Sequence, residues 1–311
     1  MIPDRTRPDL ERDAPPPSEL LAGEFPPELE ISFEFFPPKT PAAEDRLWQT
    51  VEQLQPLSPQ YVSVTCGAGG NPAEGTRAWV EALRERTGWV AVAHLTCASA
   101  TRAAVEDIAR QYWAAGVRRL VALRGDRPKG MESRPNGTHY AFAADLVASL
   151  RAIAPFEISV AAYPETHPEA ASPRADLDNL KRKLDAGAVR AITQYCFETE
   201  TVLRFRDRMA AAGITAPLAV GIMPVHDFGQ IKRFSDGCGA GVPDWLAAAF
   251  QGLEDDPVER NRVAAAIAAD QVRRLVAEGI HELHFYTLNR AELTVAACAL
   301  LGLQPHLAHA A

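Results

Sequence analysis

The sequence predicts a single (β/α)8 barrel. Eight strand-like runs alternate with helical patterns from Glu30 onward, which is the signature of a parallel sheet wrapped by helices. Glycines 88, 116, 187, 213 and 279 each stand between a helical pattern and the next strand, where a C′ glycine ends a helix. The competing doubly wound sheet usually carries a G-x-G-x-x-G turn after an early strand, and the chain has none.

The strand-like runs are Glu30–Phe35, Tyr61–Thr65, Val90–Leu95, Arg119–Leu123, Glu157–Ala162, Arg190–Gln194, Leu218–Ile222 and Glu282–Tyr286. The first stops at Pro37-Pro38, which cannot continue a ladder. Side chains alternate along it, so Phe33 and Phe35 share one face, and Ser32, Glu34 and Phe36 share the other. Between the runs, Leu47, Val51 and Leu54 recur at helical spacing, as do Leu177, Leu180 and Leu184, and Val202, Phe205 and Met209. The long stretch between the last two strands predicts extra helices near Phe228–Ser235, Pro243–Gln251 and Pro257–Glu278. Residues 1–28 are rich in proline and charge and are expected to form a disordered or loosely draped tail; residues 29–311 form the catalytic barrel. Arg127–Thr138, polar and carrying Pro128, Gly130, Pro135 and Gly137, is expected to be a mobile flap.

Composition narrows the function classes. The chain has 311 residues, is 47% hydrophobic and carries a net charge of −8 with no long basic run, so nucleic acid is not an expected partner. Five scattered cysteines form no C-x-x-C pair, which predicts free thiols and no metal site. No apolar run reaches the ~18 residues of a membrane helix, and no secretory h-region is present. The expected location is the cytoplasm, with no membrane partner.

Barrel enzymes place their chemistry at the C-terminal ends of the strands. Here those ends read Glu34; Thr65-Cys66; His94; Arg124-Gly125-Asp126; Tyr163-Pro-Glu-Thr-His167; Thr193-Gln194; and Tyr286-Thr-Leu-Asn-Arg290. Glu34, an acid in a greasy strand, is expected to have a raised pKa and to donate a proton near neutral pH; the alternative is an outward-facing surface acid. His94 reads either as a satisfied buried histidine or as part of the site. His281 and His284 point to opposite faces of a strand, which argues against a metal pair. Gly67–Gly70 is either a plain turn or a backbone that a flat ligand approaches. Arg124-Gly125-Asp126 is a local ion pair or a cofactor contact. Lys181-Arg182-Lys183 is a solvated face or a diphosphate clamp.

Taken in order, Ser32-Phe-Glu-Phe-Phe-Pro-Pro, Ser63-Val-Thr-Cys-Gly-Ala, His94-Leu-Thr-Cys, Leu123-Arg-Gly-Asp and Ala162-Tyr-Pro-Glu-Thr-His-Pro-Glu form a series with Ala191-Ile-Thr-Gln, Gly221-Ile-Met-Pro-Val and Phe285-Tyr-Thr-Leu-Asn-Arg. The series resembles methylenetetrahydrofolate reductases of the short bacterial type, over about Glu30 to Leu303. The resemblance implies a TIM barrel that binds FAD, is reduced by NADH (or NADPH), and reduces 5,10-methylenetetrahydrofolate to 5-methyltetrahydrofolate by ping-pong kinetics, supplying methyl groups for methionine synthesis. It implies that Glu34 is the general acid that helps open the folate imidazolidine ring, and that Asp126 faces both folate and flavin. It implies FAD contacts at Cys66, Ala68, His94, Arg124, Gly125, Asp126, Tyr140, Ala141, Tyr163, His167, Ala170, Asp176, Asn179, Arg182 and Lys183. It implies substrate contacts at Thr65, Gln194, Gln230, Phe234 and Arg290, with Gln194 serving both folate and nicotinamide. Relatives form dimers or tetramers, so a homo-oligomer is expected.

The sequence departs from that pattern in two places. Cys66 stands where some relatives carry Tyr, and the Arg127–Thr138 flap is longer than in other members, which loosens the alignment at Tyr140 and Ala141. Two other readings compete. A folate-binding methyltransferase barrel would want a zinc-binding Cys/His cluster or a corrinoid partner, and a non-catalytic barrel would bind ligand without needing Glu34.

Overall fold

The computed structural model describes residues 29–66, 72–126 and 138–303. The tail, the Gly67–Gly70 loop with Ala68, and all of the predicted flap but Thr138 lie outside the described residues. Eight parallel strands close into one barrel in sequence order. They are β1 (Glu30–Phe35), β2 (Tyr61–Val64), β3 (Ala91–Thr96), β4 (Arg119–Leu123), β5 (Glu157–Ala162), β6 (Arg190–Thr193), β7 (Leu218–Ile222) and β8 (Glu282–Tyr286). The helices are α1 (Pro41–Leu54), α2 (Pro72–Thr87), α3 (Arg102–Ala114), α4 (Ala143–Ile153), α5 (Pro173–Asp185), α6 (Thr199–Ala211), α7 (Phe228–Cys238), α8 (Asp244–Phe250), α9 (Pro257–Ala277) and α10 (Glu292–Leu300). The three extra helices predicted before the last strand are therefore present.

Three strand ends move by a residue or two from the sequence reading, and the ladder explains how. Thr65 and Gln194 fall just past β2 and β6, yet their amides still donate to Phe35 O (2.9 Å) and Ala162 O (2.8 Å). The third strand starts at Ala91 and runs on to Thr96, pairing with Leu123. All five inter-element glycines have left-handed backbones, from φ +72° to +114°, as a helix C′ position requires.

Helix starts are written locally. Thr40, Ser172 and Asp256 each accept a hydrogen bond from the backbone three residues on, and each is followed by a proline in the first turn of α1, α5 or α9. The strands' outer faces bury Phe33, Phe35, Val62, Leu95, Leu120 and Phe285 against the helices. Inside the barrel an apolar layer of Tyr61, Val92, Val121, Ile192 and Ala219 fills the lumen. Ser32, Ser63, His94, Ser159, Thr193 and His284 are also buried. A separate cluster under α7, α8 and α9 packs Tyr195, Phe197, Met223, Ile231, Leu246 and Phe250. Among the described residues no helix is long and apolar enough to cross a membrane.

The joint between β1 and β8 fixes the end of the first strand. After Pro37-Pro38 breaks the ladder, side chains take over. Asn289 accepts from Phe36 N (3.0 Å) and donates to Phe36 O (2.8 Å), while Thr287 donates to Glu34 O (2.7 Å). Leu288 and Asn289 hold left-handed backbones (φ 51° and 54°) to make this turn. Asparagine tolerates that conformation; a leucine there is held by its surroundings.

Candidate active site

Glu34 reaches the barrel lumen from β1, with its side chain one-fifth exposed. Two buried imidazoles converge on its Oε2: His94 Nε2 from β3 at 3.6 Å and His284 Nε2 from β8 at 3.7 Å. Neither Nε2 has a hydrogen-bond partner among the described residues. Burial lowers the His94 pKa to about 4, against the opposing pull of Glu34, so at neutral pH that ring is uncharged.

The His284 ring is oriented from behind. Its Nδ1 lies 2.8 Å from Ser32 Oγ, and that hydroxyl is 3.0 Å from Leu283 O, which can only accept. A hydroxyl that gives its proton to the carbonyl must receive one from Nδ1, leaving Nε2 bare toward Glu34. Nε2 is then free to accept from a proton donor in the lumen. The outward-surface alternative for Glu34 is thus excluded by its surroundings. His284 and Ser32 were missed as functional residues in the sequence reading, although the alternation of Leu283-His284-Phe285-Tyr286 already turns His284 and Tyr286 to the same face. Barrel closure supplies the rest, because β1 and β8 pair with Ser32 opposite His284.

Beside Glu34, at the ends of β2 to β5, lies a cavity of about 820 Å³. Eleven of the fifteen residues named above for a cofactor line it: Cys66, Arg124, Gly125, Asp126, Tyr163 and His167, and then Ala170, Asp176, Asn179, Arg182 and Lys183. Ala68 lies outside the described residues. His94 sits against Glu34 instead, and neither Tyr140 nor Ala141 lines the cavity; Phe142 and Ala143 do. Tyr140 is buried, with its hydroxyl donating to Ser149 Oγ (2.7 Å) and its ring under Arg102.

The cavity's chemistry is specific. Arg182 hydrogen-bonds Asn179 (3.2 Å), and Lys183 is buried with Nζ donating to Ala161 O at 2.5 Å. Burial lowers the Lys183 pKa to about 8, with Asp176 resisting. Lys181, by contrast, pairs with Asp185 in solvent, so the basic triplet divides into one solvated residue and two at the cavity. Arg124 pairs with Glu169 at 2.6 Å through both guanidinium arms rather than with Asp126. Asp176 accepts from His167 N (2.8 Å), and Tyr163 stacks edge-on against His167 at 4.6 Å. Burial pushes the Tyr163 hydroxyl up to about 12, keeping it neutral.

A large planar, anionic cofactor fits this donor set. Alanines 98, 122, 143, 161, 170, 171 and 175 make a wall without long side chains, and three cations stand around it. Gly125 has φ +78°, and a Cβ there would meet Thr96 Cβ at 2.9 Å, so the backbone approaches as only glycine permits.

The named substrate residues are more dispersed. Thr65 and Gln194 close the ends of β2 and β6, and Gln194 Oε1 accepts from Tyr195 N (3.0 Å). Gln230 and Phe234 are four apart on α7, with Phe234 exposed. Arg290, on the turn after β8, lines a second cavity with His226 and Arg260. All five cysteines are free.

The fold and this mouth define a barrel enzyme that sets a carboxyl flanked by two buried imidazoles beside a pocket for a large cofactor. The profile of the methylenetetrahydrofolate reductase family matches residues 26–302. The chain is 49% identical over 280 residues to the 5,10-methylenetetrahydrofolate reductases of Salmonella typhimurium (strain LT2) and Escherichia coli (strain K12), covering 90% of this chain and 93% of each relative. It is 32% identical to a probable methylenetetrahydrofolate reductase (NADH) of Oryza sativa subsp. japonica, covering 88% of this chain and 48% of that protein. The chain belongs to the methylenetetrahydrofolate reductase family, which reduces 5,10-methylenetetrahydrofolate. Its fold is also that of a Clostridium thermocellum protein described as binding two copies of 5-methyl-5,6,7,8-tetrahydrofolic acid, at TM-score 0.57, 13% identity, and 88% and 94% coverage.

Proposed function

We propose that the chain reduces 5,10-methylenetetrahydrofolate to 5-methyltetrahydrofolate with FAD in the large cavity and NADH or NADPH as reductant, and that Glu34 supplies the proton. The observation that carries this reading is the Glu34 carboxyl facing two buried imidazole nitrogens beside a cavity that suits FAD. FAD, when bound there, would supply the hydride chemistry, with nicotinamide and folate alternating as partners in ping-pong kinetics.

The chain's own residues do the rest. Arg124, Arg182 and Lys183 would hold the cofactor's diphosphate, and the alanine wall with Gly125 would admit its ring. Glu34 protonates the nitrogen that leaves as the imidazolidine ring opens, exposing an iminium carbon to hydride. His284, set by Ser32, faces the carboxyl across the lumen and helps to orient it. Asp126, at the cavity's edge, faces both ligands; Thr65, Gln194, Gln230, Phe234 and Arg290 orient the alternating substrates. The product serves methyl transfer to methionine, and the working form is a homo-oligomer.

The test is an anaerobic visible-absorbance titration of the purified protein. A flavin band that bleaches with NADH and returns with methylenetetrahydrofolate supports both half-reactions. A colourless protein that takes up no added FAD overturns the reading.

A further inference from the structure

Tyr286 ends β8 and is paired in register with Glu34 on β1, so both side chains turn into the lumen. Its hydroxyl reaches past β7 to β6, where it donates to Thr193 O at 2.7 Å. Gly221 on β7 makes room for this crossing. A Cβ there would stand 2.6 Å from Tyr286 Cε2 and 2.5 Å from Thr193 O. Gly221 lies inside a strand with no left-handed backbone to call for a glycine, so what its missing side chain provides is space for the ring. The β6–β7 ladder pairs Ala191 with Leu218 and Ile192 with Ala219. At the next residue, side chains take over. Gly221 N donates to Thr193 Oγ1 (2.8 Å), and the Tyr286 hydroxyl holds the Thr193 carbonyl.

The same ring has two aromatic neighbours. It meets His284 edge-on at 5.4 Å, and His284 Nε2 faces Glu34. It meets Tyr195 edge-on at 6.0 Å. Between Thr193 and Tyr195 stands Gln194, the residue named above for both folate and nicotinamide. Gln194 N donates to Ala162 O (2.8 Å), and its Oε1 accepts from Tyr195 N (3.0 Å), which leaves the side-chain NH2 to offer a ligand. Burial, reinforced by Glu34, holds the Tyr286 pKa well above its ordinary value, so the hydroxyl stays a donor. One rigid ring therefore touches the imidazole that faces the acid and fixes the carbonyl just before Gln194.

We infer that Tyr286 is a positioning residue that sets the span between Glu34 and Gln194, so that a folate gripped by Gln194 presents its leaving nitrogen to Glu34. Reacting groups must be closely aligned, and a misplacement of about 1 Å costs on the order of 10² in rate. The nicotinamide meets Gln194 but takes no proton from Glu34, so its half-reaction needs only one end of that span. The inference rests on the folate reading above.

The experiment uses the holoenzyme with Tyr286→Phe, which keeps the ring and removes the hydroxyl, alone and combined with Gln194→Ala. Calorimetry with 5-methyltetrahydrofolate reads folate binding without turnover. Tyr286→Phe is expected to weaken binding about tenfold, the size of one buried hydrogen bond. The double variant is expected to bind no worse than Gln194→Ala alone, because the two residues act as one unit. Anaerobic stopped flow at saturating substrates reads the span itself. Reoxidation by methylenetetrahydrofolate is expected to slow on the order of tenfold more than flavin bleaching by NADH. Gly221→Ala crowds the ring from β7 with the hydroxyl intact, and it is expected to show the same imbalance. Losses that add in the double variant, or equal slowing of both half-reactions, overturn the proposal, since a hydroxyl that only stiffens the barrel favours neither Gln194 nor one substrate. So does a Tyr286→Phe protein that binds and reduces folate as the wild type does. A wild-type protein that binds no folate at all overturns the functional reading as well.

Discussion

Glu34→Gln separates the two halves of the reaction, and its magnitude follows from the site. The amide has nearly the volume of the carboxyl. Its NH2 can donate to either imidazole, His94 Nε2 now at 3.6 Å or His284 Nε2 at 3.7 Å. Folding should therefore change by no more than about 1 kcal/mol. What is lost is the transferable proton. A positioned general acid contributes about 10²–10⁴ in rate, or roughly 3–5 kcal/mol of barrier. His94 cannot replace it, because burial holds its pKa near 4 and the ring has no spare proton to give at neutral pH. The loss should lie toward the upper end of that range. Anaerobic stopped flow reads each half separately: flavin bleaching by NADH keeps its native rate, and reoxidation by methylenetetrahydrofolate slows by about 10³ or more. Reoxidation at the native rate in the variant would refute the assignment of Glu34 as acid.

Three further outcomes are expected. Ser32→Ala strands His284 Nδ1 in the buried lumen, so it should cost about 1–3 kcal/mol in chemical denaturation and shift the pH profile of folate reduction; an unmoved profile would show that the Ser32–His284 bond does not orient the acid. Gly125→Ala places a Cβ 2.9 Å from Thr96 at φ +78°, which should cost about 1–2 kcal/mol for the backbone alone and weaken flavin retention, measured by the FAD released during thermal unfolding. His226 is held neutral by burial, its pKa lowered from 6.5 to about 4. The unfolded chain takes up that proton first as pH falls, so stability is lost between pH 6.5 and 4, by about 3 kcal/mol in full. His226→Gln should flatten that part of an acid-denaturation curve, and an unchanged curve would count against the burial argument.

Much of the fold is local and was legible for that reason. Period-two alternation identified the strands, apolar spacing identified the helix faces, and the five C′ glycines marked the turns, all of which neighbours in sequence decide. The boundary shifts at Thr65, Gln194 and Thr96 are of another kind: whether a strand's last residue counts depends on the neighbouring strand's register, which no local pattern holds. The polar strand ends were legible too, because a barrel gathers all its C-terminal strand ends at one mouth.

The sequence by itself determined the barrel, the greasy strand that carries Glu34, and half of the residues that line the large cavity. Only the tertiary structure decided which of them meet. Closure of β1 on β8 brings Ser32 and His284 together across 252 positions and turns a lone acid into one held by two imidazoles. The docking of the helices and loops around β4 and β5 divides Lys181-Arg182-Lys183 between solvent and cavity, gives Arg124 to Glu169 rather than to Asp126, and takes Tyr140 away from the cavity into a hydrogen bond with Ser149. Barrel closure also gathers Arg46, His226, Arg260 and Arg290 from four distant segments into one cationic pocket. The physical reason is common to all five: periodicity sets which face of an element a side chain takes, but hydrogen bonds and charge pairs form only when strand register and helix docking bring distant segments within a few ångströms.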